Sequence, residues 1–333
     1  MGRHAKKTEE TKRAEADAQA FNVLAKGGRS FFWASHFLGR ETAYNAAHLY
    51  QFCRILDDLA DGDIANGPAR LAAIKTQLER LAKGKALGKI DPALAAFLPV
   101  MKDCRVPIMP LLHLLEGLLF DQGEVAIASE DGLIQYAYQV AGTVGLLMCP
   151  VLGCQNKQAF SFAVDMGMAM QLTNIARDVL EDAKMGRRYL PARWTKNLDP
   201  QDICEAAHHP QGAEALVIKT ALDRLLHLAD SYYESGQRGL VYLPLRAHIA
   251  IAVAANVYRA IGQKLRRRQL DWTKGRVVTN GPEKTLASLT ASASLVARTR
   301  RKPLYQAGLQ SALKDYFSEQ DYFSEQDYPG ADR

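Results

Sequence analysis

Two stretches of this sequence gather carboxylate and amide oxygens at helical spacing. In Gln171–Pro191, QLTNIARDVLEDAKMGRRYLP, Asn174, Asp178 and Asp182 fall four residues apart, so a helix stacks them on one face at successive turns. Leu172, Ile175, Ala176, Val179 and Leu180 occupy the positions between them, too apolar a set for a free surface helix. Acids crowded on such a helix repel one another unless a cation joins them. The cation suited to an all-oxygen set is hard and divalent, Mg²⁺ first and Mn²⁺ second. Upstream, in YQFCRILDDLAD (Tyr50–Asp61), Asp57 and Asp61 are again four apart, with Asp58 beside the first and Tyr50 and Arg54 on the same face. Two such helices face to face make a cage whose metal ligands are Asp57, Asp58, Asp61, Asn174, Asp178 and Asp182. A diphosphate is its natural guest, because Mg²⁺ is commonly held by a few carboxylates together with substrate phosphates.

The surrounding periodicity supplies the helices that must hold these groups. Helical patterns start at Ala18 and continue over Arg40–Ala60, Ala69–Leu81, Ala93–Asp103, Pro107–Gln122 and Gly132–Gly153. Further ones cover Gln158–Ala183, Ala213–Glu234, Ala247–Arg267 and Glu283–Thr299. Gly62, Gly67-Pro68 and Gly186 punctuate them as stop signals. No convincing series of alternating strand patterns occurs, so the fold class is all-α, a single-domain bundle. Residues 1–17 read as a flexible or frayed helical tail, 18–303 as the folded domain and 304–333 as a C-terminal tail. That tail repeats DYFSEQ once, at Asp315–Gln320 and Asp321–Gln326, too short a duplication to signal a solenoid.

Composition narrows the class. Over 333 residues, 48% are hydrophobic and 23% charged, with a formal charge of +6. That mild basicity suits an anionic substrate or a membrane surface, and no basic patch interleaved with exposed aromatics argues for nucleic acid. Five cysteines, odd in number and without CxxC pairing, read as reduced and mostly core. The N-terminus lacks the apolar run of a secretory signal, and Val140–Cys154 is too short and too broken by glycine and proline to span a bilayer. His36, His48 and His113 lack a partner pattern and read as structural. Glu116 and Asp121 are either supporting or merely surface acids.

Taken together, the two acidic segments resemble the squalene and phytoene synthases, the head-to-head prenyltransferases, and bacterial phytoene synthases most of all. Asp57, Asp58 and Asp61 match the family's first aspartate motif. Asn174, Arg177, Asp178, Glu181 and Asp182 match its NxxRDxxED-like second. The flanks agree as well: Tyr50 and Arg54 precede the first motif, Gln171 precedes the second, and Arg188-Tyr189-Leu190-Pro191 closes it. Further similarity runs through Tyr232–Arg246, Val257–Gly262 and the Arg276 to Lys284 region, so coverage extends from about Arg29 to Pro303. Two departures stand out. The family's Ser-Lys-Ser-Phe is replaced by Gly28-Arg29-Ser30-Phe31, and Gly62 follows Asp61 where some relatives carry another aspartate.

The resemblance implies an isoprenoid synthase fold walled around a central cavity. In it, two prenyl diphosphates bind with Mg²⁺ and condense through a cyclopropylcarbinyl diphosphate to a linear product. On that basis Asp57, Asp61, Asp178, Asp182, Tyr50 and Arg54 are expected to serve catalysis. Arg29, Ser30, Arg54, Tyr136, Gln171, Asn174, Arg177, Arg188, Tyr189, Tyr258 and Arg276 are expected to bind substrate. Among them Arg54, Arg177 and Arg276 are diphosphate clamps, and Tyr50, Tyr136 and Tyr258 offer aromatic faces or hydroxyls near cations. The expected product is phytoene from geranylgeranyl diphosphate, with NADPH not required. The alternatives are squalene or dehydrosqualene from farnesyl diphosphate and, in a different class, an inactive helical scaffold. The hydrocarbon product implies a cytoplasmic protein peripheral to the inner face of the membrane, while the oligomeric state stays open. Read without the resemblance, Asp57 and Asp61 would be an ordinary solvated face paired with Arg54, and Arg266-Arg267-Arg268 a solvated basic face or a contact to anionic lipid.

Overall fold

The computed structural model describes residues 2–299 and 302–316 of the chain. All of the DYFSEQ duplication except Asp315 and Tyr316 lies outside the described residues. The first half of the chain forms α1 (Gly2–Gly27), α2 (Arg29–Ser35), α3 (Arg40–Ala60), α4 (Gly67–Ala82), α5 (Pro92–Cys104) and α6 (Ile108–Phe120). After them come α7 (Glu130–Ala137), α8 (Thr143–Val151), α9 (Phe160–Lys184), α10 (Pro200–Ala206), α11 (Ala213–Gly239), α12 (Leu245–Arg267) and α13 (Gly281–Ala293). A two-residue parallel pair, β1 (Val125–Ala126) with β2 (Arg187–Arg188), is the sheet present among the described residues.

The helix α9 is central because it is apolar on nearly every side. Its buried residues run from Phe160 through Val164, Met168, Leu172 and Ile175 to Ala183, and a helix of that kind has to run through the interior. Glycines bring its neighbours close. A Cβ on Gly145 of α8 would stand 2.1 Å from the Ala163 carbonyl oxygen, and one on Gly239 of α11 would stand 2.2 Å from Phe162 Cβ. The small-residue runs near Gly145 and Gly239 therefore serve backbone packing. By contrast α3 is one-sided, burying Ala46, Leu49, Phe52, Leu56 and Leu59 at three- and four-residue steps. It belongs to a separate hydrophobic cluster with α4, α5 and α6, whereas α9 packs with α11 and α12.

Several boundaries depart from the sequence expectation. Helix α1 begins at Gly2 rather than Ala18, and Asp17, expected in a tail, meets His48 Nε2 of α3 at 2.9 Å. The first turns of α1 are rich in helix-favouring Ala, Glu and Lys but carry no apolar stripe, so periodicity could not register them. The single helix expected over Gly132–Gly153 is two helices joined by a π-helical turn, Tyr138–Gly142. The short helices α2 and α10 and the β1–β2 pair are too short to carry a periodic signal in the sequence. All five cysteines are unbridged; Cys149 and Cys154 are buried and the other three only partly so.

Candidate active site

Helices α3 and α9 present their acids to one cavity of about 890 Å³. Residues lining it from the first motif are Tyr50, Arg54, Asp57 and Asp61. The second motif contributes Gln171, Asn174, Arg177, Asp178 and Asp182, while Arg29, Ser30, Tyr136, Tyr189, Tyr258 and Arg276 come from other elements. Two expected residues do not reach it. Asp58 turns to Arg54, its Oδ1 lying 2.6 Å from Nη2. The Arg188 side chain is buried among backbone carbonyls, with Nη1 donating to Ile127 O at 3.0 Å and Leu190 O at 2.7 Å. Its neighbour Arg187 lines the cavity instead and donates to Asp61 Oδ1 at 2.8 Å. In β2 successive side chains point to opposite faces, so only one of the pair can face the acids.

Asp121, undecided between surface and support in the sequence, is a buried member of the site. It accepts from the Tyr136 hydroxyl at 2.8 Å and the Tyr189 hydroxyl at 2.9 Å, and those two rings stack at 4.7 Å. The β1–β2 pair explains the convergence, since it ties the segment after α9 to the loop that follows Asp121. Tyr136 and Tyr189 thus give their hydroxyls to a carboxylate while both residues line the cavity.

The guanidiniums and acids interlock. Arg177 holds Asp178 through Nε at 2.7 Å and Nη2 at 2.5 Å, and Arg276 reaches the same carboxylate at 2.8 Å through Nε and Nη2. Burial, followed by the charge of Asp178, pushes the Asp182 carboxyl up to about 8. Asp57 rises to about 6, through enclosure first and the charge of Asp61 second. Half of its side-chain surface is open, and the residue lines the cavity. Asp121 is likewise raised to about 6 by burial, against the pull of its two tyrosine donors. Beside the acids, the Phe31 ring bridges Tyr50 and Tyr258, with centroids 6.3 and 5.3 Å away. Gly28 is the residue that fits here, since a Cβ at that position would come within 2.9 Å of the Tyr50 ring.

The donor set fits a hard divalent cation. Asn174 Oδ1 is buried without a hydrogen-bond partner, and an orphaned oxygen beside raised carboxyls is what a metal ligand looks like before it is engaged. Among the described residues no three acids already converge closely enough to hold an ion as they stand; arginines hold Asp61 and Asp178 instead. Binding of a cation and an anionic substrate would therefore exchange arginine contacts for phosphate contacts. Away from the charged groups, Val140, Val144, Met148, Met166 and Ile251 give the cavity an apolar wall. A polar charge array opening into an apolar cavity stabilises charge on a leaving anion and keeps water from carbocations.

Residues 24–283 match the sequence profile of the family described as Squalene/phytoene synthase. The chain is 37% identical over 295 residues to the 15-cis-phytoene synthase of Pantoea ananas, covering 85% of this chain and 94% of that one. It is 35% identical over 283 residues to the phytoene synthase of Thermus thermophilus, covering 84% and 93%. A crystal structure of a dehydrosqualene synthase in complex with ligand superposes with a TM-score of 0.74 at 25% identity, over 86% of this chain and 99% of that one. The squalene synthase of Alicyclobacillus acidocaldarius shares the fold, with a TM-score of 0.66 at 23% identity over 77% and 95%. With its two acidic helices facing one cavity and this coverage, the chain belongs to the squalene/phytoene synthase family.

Proposed function

We propose that this chain is a Mg²⁺-dependent phytoene synthase that joins two geranylgeranyl diphosphates head to head. The observation that carries the reading is the pairing of opposed acid and arginine arrays with an apolar cavity, in a chain 35–37% identical to phytoene synthases over most of its length. Bound Mg²⁺, or Mn²⁺ in its place, would neutralise diphosphate charge between Asp57 and Asp61 on one side and Asn174, Asp178 and Asp182 on the other. Arg54, Arg177, Arg187 and Arg276 stabilise the diphosphate as it departs, through charge-assisted hydrogen bonds. Arg29, Ser30 and Gln171 orient the substrate head groups at the cavity mouth. The Tyr50 and Tyr258 rings face the allylic cation left when one substrate loses its diphosphate; the second substrate's double bond attacks it, and loss of a proton closes the cyclopropylcarbinyl diphosphate. The apolar wall excludes water through the second loss of diphosphate and the rearrangement, until loss of a second proton gives the neutral hydrocarbon. None of these steps consumes a reductant, so NADPH is not required. The hydrocarbon product calls for release into a bilayer, which makes the protein a peripheral membrane enzyme of the cytoplasmic face. No helix among the described residues is long and apolar enough to cross a membrane.

The likeness to a dehydrosqualene synthase structure supports a second reading with farnesyl diphosphate. Purified protein given Mg²⁺ and either diphosphate, with and without NADPH, and analysed by mass spectrometry separates the two. A forty-carbon hydrocarbon from geranylgeranyl diphosphate alone is expected. A thirty-carbon product would move the enzyme to the farnesyl class, and no product from either substrate would favour an inactive scaffold.

A further inference from the structure

The outer face of α13 carries an apolar stripe that none of the described residues covers. Its inner residues Ala287 and Ala291 are buried, whereas Leu286 is 62% and Leu289 69% exposed. The stripe runs on through Ala293 to Val296, at steps of three and four residues. Between Thr285 and Ala297 this helix and the turn after it contain no charged residue. Trp33 of α2 lies at its edge, with Nε1 donating to Ser288 Oγ at 2.9 Å.

Cations flank this helix on its inner and outer sides. Arg29 and Lys284 lie close enough that Arg29 lowers the Lys284 ammonium, after burial. The one acid of α13, Glu283, is neutralised by Lys264 Nζ at 2.9 Å and lies within the field of Arg267. The basic triplet at the end of α12 divides here: Arg266 is committed to Asp230 at 2.6 Å, while Arg267 and Arg268 are exposed. Arg29 and Lys284 also line the cavity, so α13 walls it with its inner face and carries the stripe on its outer one.

We infer that the Trp33, Leu286, Leu289 and Val296 face docks on a bilayer containing anionic lipid, which brings a helix of the cavity wall to the membrane. The inference rests on the reading that the product is a hydrocarbon released at a membrane. An uncharged apolar helix face with a tryptophan at its border and cations around it suits the headgroup boundary. A second copy of this chain would bring the same flanking cations against themselves, so charge favours the lipid.

The test is cosedimentation of the full chain with phosphatidylcholine vesicles, with and without phosphatidylglycerol. Wild type should bind the mixed vesicles, and Leu286→Glu/Leu289→Glu should reduce the bound fraction by about fivefold or more. Leu216→Glu, at an equally exposed position on α11 (62%), should bind as wild type. Circular dichroism and product formation from detergent-dispersed substrate should be unchanged in both variants. Leu286→Gln/Leu289→Gln provides the same reading if the charged pair does not fold. Equal binding by wild type and the α13 variants would overturn this face while leaving membrane association standing. Absent binding by wild type would overturn membrane association itself, and a wild-type dimer that the variant splits would assign the face to a second copy. Failure of the phytoene reading would appear separately, as missing product with vesicle binding intact.

Discussion

Asp165 and Asp121 are both buried carboxylic acids, both raised to about 6 by burial, and both held by tyrosine hydroxyls. Their surroundings differ in one respect that separates a staple from a working group. Asp165 accepts from Ser235 Oγ at 2.5 Å, Gln310 Nε2 at 2.7 Å and Tyr305 OH at 3.2 Å, all neutral donors. Two of these lie in the C-terminal segment, which Asp165 thereby fastens against α9. Asp121 has its tyrosines too, but it also feels the charges of Arg187 and Asp61 and in turn raises Asp57 and Asp182. A lone acid satisfied by neutral donors stabilises a fold. Acids that raise one another, beside an orphaned amide oxygen, are held ready for a cation.

The contrast can be broken most sharply within the acidic array. Asp178→Ala or Asp57→Ala should lower turnover by about 10²–10³ or more while leaving the far-ultraviolet circular dichroism spectrum unchanged; retained turnover in both would remove the array from the chemistry. Asp121→Asn deletes the charge, keeps one oxygen acceptor and turns an amide N–H toward the other tyrosine hydroxyl, which can rotate to accept it. Steady-state kinetics should show a loss of about 10–100-fold, and a fall in melting temperature without loss of turnover would make Asp121 a staple like Asp165. Asp165→Ala should do the reverse, costing about 1–3 kcal/mol of stability by stranding its donors while the folded protein keeps its turnover, as denaturant unfolding and kinetics would report.

The smallest effect concerns pH. Asp165 titrates at about 6 in the fold against an ordinary 3.8, so the folded state holds the proton more tightly than the unfolded chain. Its contribution to stability is fully present below about pH 3.8 and is lost as pH rises through about 6. Asp165→Asn should remove that part of the slope, and unfolding curves at pH 4, 5, 6 and 7 compared with wild type would isolate it from the other raised acids. Parallel curves would contradict the assignment.

Much of the site was legible because α3 and α9 have explicit helical spacing, which fixes a common face before any contact is known. Adjacent residues were harder to tell apart. Asp57 and Asp58 differ by one step around α3, and only packing decides that Asp57 faces the cavity while Asp58 turns to Arg54. Arg187 and Arg188 sit on a two-residue strand, too short for an alternation pattern to reveal which one faces the acids. Asp121 caps the end of α6 in an irregular segment, and the tyrosines that hold it lie 15 and 68 residues away in sequence, beyond any local pattern. The early turns of α1 escaped for the opposite reason, having strong propensity but no apolar stripe.

The central claim, that these acids bind diphosphate through divalent cations, is most directly tested by calorimetric titration of an unreactive thiolodiphosphate analogue of geranylgeranyl diphosphate. In Mg²⁺ the wild type should bind it tightly, in EDTA the affinity should collapse, and Asp57→Ala and Asp178→Ala should each resemble the EDTA result. Equal affinity with and without Mg²⁺, or unchanged Mg²⁺ dependence in both variants, would contradict the account.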